Sequence, residues 1–382
     1  MKRDLGLIFA LIVAVASGLL VAQNAYAGEN VIPDGALRDC IIDEMHNNYE
    51  YNVATPDVVT RDDIVGFIDH VHHHHAGGPH LHWACQGISS LEGLDMFFDI
   101  DPAIFASLMV ENGTVSDVTP LAGIKQIAHL NLSGNLISDM FDISGIAGLT
   151  DLDLSNNQLS MVPGLQSTHL ETLVLSYNQF DTLPSLSHMK DLFCLDLSHN
   201  HLTDVASLEL AGLTNLVWAD LSYNHISDAS ALAPLVGWIN DVWPPQGDAL
   251  LTRAPAVCGT KACAALSLDG NHITDMSAFP NNSDLRQAGG HGVMARNQTN
   301  YDTATLGVPV NLPAVQTTSA NDMTWHVAPG DAVISNGQIT YLHAGAVDVT
   351  WQDNSPHAVV NAGTVTNVLS DFTGTITVTV TQ

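Results

Sequence analysis

The sequence predicts an α/β solenoid, in which parallel strands form a concave sheet, followed by a small all-β sandwich. Two observations predict this architecture. The motif L-x-L-x-x-N recurs through the middle of the chain, and alternating β-branched and small polar residues dominate its last part. A third observation, an amphipathic segment that begins at a proline, predicts a helical cap before the repeats. End repeats need such a cap because their exposed face is apolar.

The repeat has a period of about 22 residues, typical of a solenoid. A degenerate copy ends at Asn112, and full copies end at Asn135, Asn157, Asn178, Asn200, Asn224 and Asn271. The last interval is long because one repeat there carries an insertion, assigned to 238–262. Within each L-x-L strand the leucines are expected to point into the core, since side chains alternate along a strand. The asparagine amide is expected to bond backbone groups of the turn that leaves the sheet.

These repeats resemble the leucine-rich repeats of bacterial internalins, in which a short 3₁₀ turn occupies the convex side. The resemblance rests on I-S-D or L-T-D phrases at 137–139, 202–204, 226–228 and 273–275. The segment 31–45, which contains I-P-D, resembles the helical cap of that family, and F-T-G-T at 372–375 resembles its immunoglobulin-like domain. Each aspartate of the phrases is expected to cap the following turn. Calcium binding is the weaker alternative, because one carboxylate per repeat falls short of the about six to eight oxygens calcium takes.

Five segments follow from these features. Residues 1–27 read as a secretory signal, with a positive start, an apolar run and an A-Y-A cleavage site. Residues 28–96 are the cap with its His-rich loop, in which Gln86 is assigned to an asparagine position of the repeat. Repeats follow over 97–285, a linker over 286–305, and an immunoglobulin-like sandwich over 306–382. The mature protein is therefore expected to be secreted or on the extracellular surface, with no membrane insertion after signal removal.

The composition argues against nucleic acid as a partner and against a disordered chain. The chain has 40 acidic and 10 basic residues, for a net charge of −30. Nucleic acid is not an expected partner, because phosphate binding needs clustered lysine and arginine. Disorder is excluded too, since 46% hydrophobic residues are ample for a buried core.

Strand alternation predicts which side chains face outward from the concave sheet. Six of them are carboxylates and none is a lysine or arginine. This face is predicted to bind a basic or polar protein segment, with a glycan as an alternative ligand. The alternative to partner binding is that this face is only solvated and that the acidic residues keep the whole protein soluble. The predicted partner-binding residues are Met109, Glu111, His129, Asn131, Asp151, Asp153, Val174, Asp196, Trp218, Asp220 and Asp269.

Seven histidines lie between positions 70 and 82. Neutral imidazoles are good ligands for zinc and other transition metals, and the A-G-G-P bend at 76–79 allows two groups to meet. The competing interpretation is a solvated loop with adventitious affinity, because no cysteine or carboxylate pattern fixes a geometry. No other cofactor is expected. The candidate ligands are His72, His73, His74, His75, His80 and His82.

A second histidine set, His201, His225 and His272, follows the repeat asparagine in three copies. If the insertion loops out, these rings stack at about one strand spacing, about 4.8 Å. Acidification would then create a cationic stripe and weaken binding or stability near pH 5. Ordinary exposed surface is the alternative.

Five cysteines in an exported chain predict disulfides and leave one cysteine over. Cys258 and Cys263 are expected to pair within the insertion, and Cys40 and Cys85 to join cap and repeats. Cys194 is then a thiol on the concave surface, exposed or partly covered. A nucleophilic role is disfavoured because no base is specified near it.

No sequence motif of catalysis is present. The chain lacks H-E-x-x-H, a nucleophile elbow, a P-loop and a dinucleotide fingerprint. We therefore predict a binding protein rather than an enzyme. A metal-sequestering protein is the second hypothesis, and an enzyme with an unrecognised site is the third.

Overall fold

The computed structural model describes residues 29–55, 57–74, 80–101, 105–125, 127–146, 148–165, 169–213, 215–216, 218–235, 266–279, 293–312, 323–353, 357–361, 364–368 and 372–382. The predicted signal over 1–27 and the insertion over 238–262 lie outside these residues. The chain divides into two compact units, Met1–Leu149 and Thr150–Gln382. Among the described residues, no helix is long and apolar enough to cross a membrane.

The first unit opens with a helical cap. Helix α1 spans Gly35–Tyr49, α2 spans Arg61–His74 and α3 spans Asp95–Ile100. The Asp34 carboxylate caps α1 by accepting from the amide of Leu37 at 2.8 Å, and it also accepts from the amides of Ser89 and Ser90, each at 3.1 Å. One side chain therefore begins the helix and fixes it to the chain that follows β1.

A disulfide joins this cap to the first strand. Cys40 in α1 is bonded to Cys85, and their Cα atoms are 5.8 Å apart. The pairing predicted for these two cysteines is confirmed. A closed loop with a sequence separation of 45 lowers the entropy of the unfolded chain, which stabilises the cap by about 3 to 4 kcal/mol on the chain-entropy estimate.

Three parallel strands follow in the first unit: β1 (His80–Gln86), β2 (Phe105–Glu111) and β3 (Ile127–Asn131). Their register corrects two assignments. Leu108 pairs with Leu130, so Gly113, rather than Asn112, aligns with the repeat asparagine of the next copy. Gln86 pairs with Glu111 and therefore also lies before the asparagine position. The parallel sheet thus begins inside the segment predicted as cap.

The second unit continues with five parallel strands, each paired with the next: β4 (Asp151–Asp153), β5 (Thr172–Val174), β6 (Cys194–Asp196), β7 (Trp218–Asp220) and β8 (Leu266–Ser267). Their central leucines or alanine point into the core with no exposed surface: Leu152, Leu173, Leu195, Ala219 and Leu266. The predicted solenoid with a parallel sheet is confirmed.

A ladder of buried asparagine side chains runs along this sheet. The Asn200 amide donates to the carbonyl oxygens of Leu175 at 3.0 Å and Leu197 at 3.1 Å, and its Oδ1 accepts from the amide of Phe180 at 3.1 Å. Each side chain thus bonds its own turn and the preceding repeat. The same pattern recurs at Asn135, Asn178, Asn224 and Asn271.

The residue before each ladder asparagine has a left-handed backbone. Its φ is 56° at Tyr177, 55° at His199 and 53° at Tyr223, and glycine occupies the position at 134 and 270. A left-handed conformation is costly for residues other than glycine and asparagine. The ladder bonds offset this cost in every copy.

The convex side is built from short 3₁₀ turns at Thr119–Leu121, Ile143–Gly145, Ala206–Leu208, Leu210–Gly212 and Ser230–Leu232. Asp204, Asp228 and Asp275 each accept from the amide two residues ahead, at 2.8 to 2.9 Å. These bonds confirm the predicted capping role. Asp139 differs, because its carboxylate accepts from the amide of Met140 instead.

The linker predicted over 286–305 is replaced at 293–305 by a strand, β9 (Val293–Thr305). It pairs in parallel with β8, and Gln298 takes the ladder position. The Gln298 amide donates to the carbonyl of Leu268 at 2.9 Å, and its Oε1 accepts from the amide of Ile273 at 2.9 Å. The Gln298 side chain therefore makes the same kind of hydrogen bonds as a ladder asparagine, and the repeat sheet extends one strand further.

The remaining strands, β10 to β17, form what we call the β module: β10 (Val310–Asn311), β11 (Met323–Val327), β12 (Ala332–Ser335), β13 (Gln338–Tyr341), β14 (Gly345–Asp353), β15 (His357–Asn361), β16 (Thr364–Val368) and β17 (Phe372–Thr381). One sheet has the order β9-β17-β14-β11 and another β10-β13-β12, while β15 and β16 pair together. Asn336 and Gly337 form the predicted hairpin turn, with φ of 51° and 75°. The all-β prediction is confirmed for this region, and its immunoglobulin-like identity stays an interpretation.

Replacing Asn200 with alanine should destabilise the second unit by about 3 kcal/mol, because a buried amide and buried carbonyls lose their partner. Urea denaturation of the purified variant measures this change. Gln179→Ala, an exposed polar truncation close to the ladder, is the control and should change stability by about 0.5 kcal/mol or less. Equal midpoints for Asn200→Ala and the control would contradict the role given to the ladder.

Candidate binding surface

In the first unit, the predicted concave-face residues lie on β2 and β3. His129 is exposed, and Met109, Glu111 and Asn131 are half-buried. The Asn131 amide donates to the Glu111 carboxylate, and its Oδ1 accepts from the amide of Ser133 at 2.9 Å. The strand positions therefore present a polar surface whose side chains are already oriented by one another.

In the second unit, three carboxylates remain accessible on the sheet: Asp151, Asp153 and Asp196 are half-buried. The Oδ1 atom of Asp153 accepts from both the amide, at 2.9 Å, and the hydroxyl, at 2.7 Å, of Ser155. Asp196 makes the same two bonds with Ser198. These aspartates therefore stabilise the turn after the strand as well as supplying charge.

Asp220 repeats this local bond, since it accepts from the amide of Ser222 at 2.9 Å. Only the charge of such side chains entered the prediction. The D-x-S spacing, present at 153–155, 196–198 and 220–222, is the signal that would have revealed the structural role.

The centre of the predicted face is more buried than alternation suggested. Val174 and Trp218 are each 8% exposed, Asp220 is 4% exposed and Asp269 is 7% exposed. Phe193, Cys194 and Trp218 form a small apolar cluster of their own. Because these side chains expose so little surface, a partner would reach the flanking carboxylates more readily than this centre.

The prediction that Cys194 is a thiol is wrong. Cys194 is disulfide-bonded and has no exposed surface. Since Cys40 and Cys85 bond to each other, its partner lies outside the described residues, where the sequence has Cys258 and Cys263. The pairing expected between Cys258 and Cys263 lies outside the described residues. Cysteine count alone left the partners open, because pairing depends on which loop reaches which strand.

The His-rich loop of the cap is described only in part. His72 bonds to the Asp101 carboxylate at 2.7 Å, and His73 lies 2.8 Å from the carbonyl oxygen of Asp69. His75 and the side chains of His74, His80 and His82 lie outside the description. Where the structure does describe side chains, no group of three or more histidine, cysteine or acidic residues is placed to hold a metal. The metal role of the cluster stays a prediction.

The second histidine set stacks as predicted. Ring centroids are 5.6 Å apart between His201 and His225 and 5.4 Å apart between His225 and His272, and the ring planes are within 8° of parallel. Burial, followed by the charges of His272 and His201, holds the pKa of His225 below its ordinary value. Near-constant repeat length is what brings these residues into register.

A second stack of aromatic rings lies beside these histidines and was not predicted from the sequence. Tyr177, His199 and Tyr223 occupy successive left-handed positions, with ring centroids 3.9 and 4.3 Å apart. The Tyr223 ring covers Gly270, where an added Cβ would lie 2.6 Å from a ring carbon. The sequence signal is simple, since all three precede a ladder asparagine.

The strands, the ladder and the convex turns form a leucine-rich repeat solenoid. Residues 147–188 match a family model described as leucine rich repeats in two copies, and residues 168–226 match a leucine rich repeat model. No curated protein matches the sequence.

Several solved structures are similar to this chain. Internalin C2 of Listeria monocytogenes is 22% identical over 69% of this chain and 94% of its own, with a TM-score of 0.48. Internalin F of the same organism is 20% identical over 71% and 78%, with a TM-score of 0.45. An internalin-like protein of that organism is 16% identical over 93% and 99%, with a TM-score of 0.43. The similar structures thus include members of the family that the repeat phrases resemble.

Thiol counting tests the cysteine assignment. Of the five cysteines, Cys40, Cys85 and Cys194 are bonded, and Cys194 takes one further partner, so the unreduced, denatured protein should show one thiol per chain. Mass spectrometry of an unreduced digest should find the Cys194 peptide linked to one containing Cys258 or Cys263. Three thiols, or a Cys258–Cys263 link, would contradict the assignment.

Proposed function

We propose that this chain is an exported binding protein that recognises a basic or polar protein segment through the carboxylates of its concave sheet. The observation that carries the proposal is the composition of the strand positions facing outward. Asp151, Asp153 and Asp196 keep accessible carboxylates there, and the described outward positions of β2 to β8 hold no lysine or arginine. A partner with positive charge would be attracted without meeting a like charge.

The local geometry favours recognition over catalysis. Asp153 and Asp196 each use Oδ1 to hold the following turn, which fixes the carboxylate on rigid sheet rather than on a loop. A fixed carboxylate loses little side-chain entropy on binding, which supports affinity for a guanidinium or ammonium group.

The burial of Trp218 and Val174 changes which residues would contact the partner. Aromatic anchors contribute most to binding when they enter a partner's pocket. Side chains that are 8% exposed do not supply such an anchor. The proposed interface is therefore electrostatic, and a glycan, which lacks positive charge, is the less favoured ligand.

Export is supported by the residues at the start of the sequence and by the disulfide chemistry. The first 27 residues have the three parts of a secretory signal. The described cysteines are all in disulfides, which persist in oxidising compartments.

Binding to basic, neutral and acidic peptide libraries tests the proposal. The mature protein should capture basic peptides preferentially. Raising the salt concentration from 0.1 to 1 M should weaken capture about tenfold or more, because the Debye length falls from about 10 Å to about 3 Å. An Asp153→Lys, Asp196→Lys double variant should bind basic peptides about tenfold more weakly, which corresponds to about 1.4 kcal/mol of binding free energy.

The matched control is an Asp181→Lys, Asp191→Lys double variant, which changes two exposed carboxylates outside the strands and the net charge by the same amount. It alters net charge without touching the sheet and should retain capture. Equal capture by the Asp153→Lys, Asp196→Lys variant and the wild type would show that the concave carboxylates do not bind the peptides. An equal loss of capture in the control would show that only the net charge of the protein matters.

A further inference from the structure

The stacked histidines do more than occupy surface, because their ring nitrogens are linked. We call His201, His225 and His272 the imidazole ladder. The Nδ1 atom of His225 lies 3.2 Å from the Nε2 atom of His272. The Nδ1 atom of His272 in turn contacts the main-chain carbonyl oxygen of Thr299 and lies 3.2 Å from its hydroxyl oxygen. The ladder therefore ends on strand β9.

These contacts fix the proton positions at neutral pH. A carbonyl oxygen only accepts, so the proton of neutral His272 lies on Nδ1 and is donated to Thr299. Its Nε2 is then an acceptor, and the proton in the contact with His225 comes from Nδ1 of His225. One proton between the two rings is the arrangement that holds them together.

Protonation is incompatible with this arrangement once both rings are charged. An imidazolium donates from both nitrogens, so two charged rings would face each other N–H against N–H across the 3.2 Å contact. The pair of His225 and His272 can accept one proton and keep the hydrogen bond between the rings. A second proton on the pair breaks that bond. Protonation of one ring therefore opposes protonation of the other.

Among the described residues, no acidic group is one of the charges that act on His225. The charged groups acting on His225 are His272 and His201, both imidazoles, and β9 contributes the uncharged carbonyl and hydroxyl of Thr299. Burial, followed by the charges of these two neighbours, keeps the pKa of His225 below its ordinary value of 6.5. A lowered folded pKa means that the stabilising contribution is present above about pH 6.5 and is lost as pH falls through the folded pKa.

Thr299 occupies a structural junction. Its amide donates to the carbonyl of Asn271 at 2.8 Å, and it pairs with Thr375 of β17. The residue thus touches the last ladder asparagine on one side and the β module on the other. A change at His272 acts directly on this position.

We propose that the imidazole ladder is an acid-sensitive connection between the repeats and strand β9. Uptake of a second proton by His225 and His272 breaks their hydrogen bond and sets two like charges against each other. Because the charged His272 ring still donates to Thr299, the repulsion is passed to β9 and loosens its attachment to the repeats. This inference does not depend on the identity of the binding partner.

Hydrogen exchange of the mature protein, followed by nuclear magnetic resonance, tests the connection. Protection factors of β9 amides near Thr299 should fall between pH 7 and pH 5 relative to those of β5 (Thr172–Val174), which belongs to the same unit. The expected fall is about tenfold for each unit by which folding lowers the pKa of His225. Parallel behaviour of β9 and β5 would overturn the proposal.

Two variants separate the ladder from general acid effects. His225→Gln cannot be protonated and should flatten the pH dependence of β9, whereas His169→Gln, an exposed histidine outside the ladder, should leave it unchanged. If His225→Gln does not fold, the wild-type ring resonances decide: His225 and His272 should titrate in two separated steps. A single shared, ordinary pKa, or an unchanged β9 profile in folded His225→Gln, would overturn the inference.

Discussion

The hydrogen bonds of the buried asparagine ladder are the interaction on which the rest of the structure depends. Each repeat leaves the sheet through a tight turn whose backbone groups are buried and need partners. Asn200 and its counterparts provide those partners from the side chain and connect each turn to the preceding repeat. With the turn held, the neighbouring residues can adopt a left-handed backbone, and strand side chains fall into register from copy to copy.

That register explains how well the fold could be predicted. Leucine and asparagine at fixed spacing specify strand, core and turn because each has one physical role. The prediction failed where the side chain at the ladder position changed. Gly113 has no side chain that could mark the ladder position, so Asn112 was assigned instead. Gln298 lies within a strand that contains no leucine. Backbone pairing continues through both positions because neighbouring repeats supply the remaining contacts.

The candidate site was predictable in orientation but not in exposure. Alternation along a strand states which side a residue faces, and the outward carboxylates Asp153 and Asp196 lie where expected. It does not state what else contacts that side, so the burial of Trp218 and the disulfide at Cys194 were unforeseen. Contacts from segments distant in sequence are the part of the problem that local periodicity does not encode.

Strand β9 has a mechanical consequence. Its first residues pair with β8 of the repeats, and from Ala295 to Thr305 it pairs with β17. Two domains joined by a flexible peptide can swivel independently, whereas two sheets that share a strand transmit torque through their main-chain hydrogen bonds. A pull on the β module would therefore be carried into the repeat sheet itself, and the attachment would resist bending up to the force that ruptures those bonds.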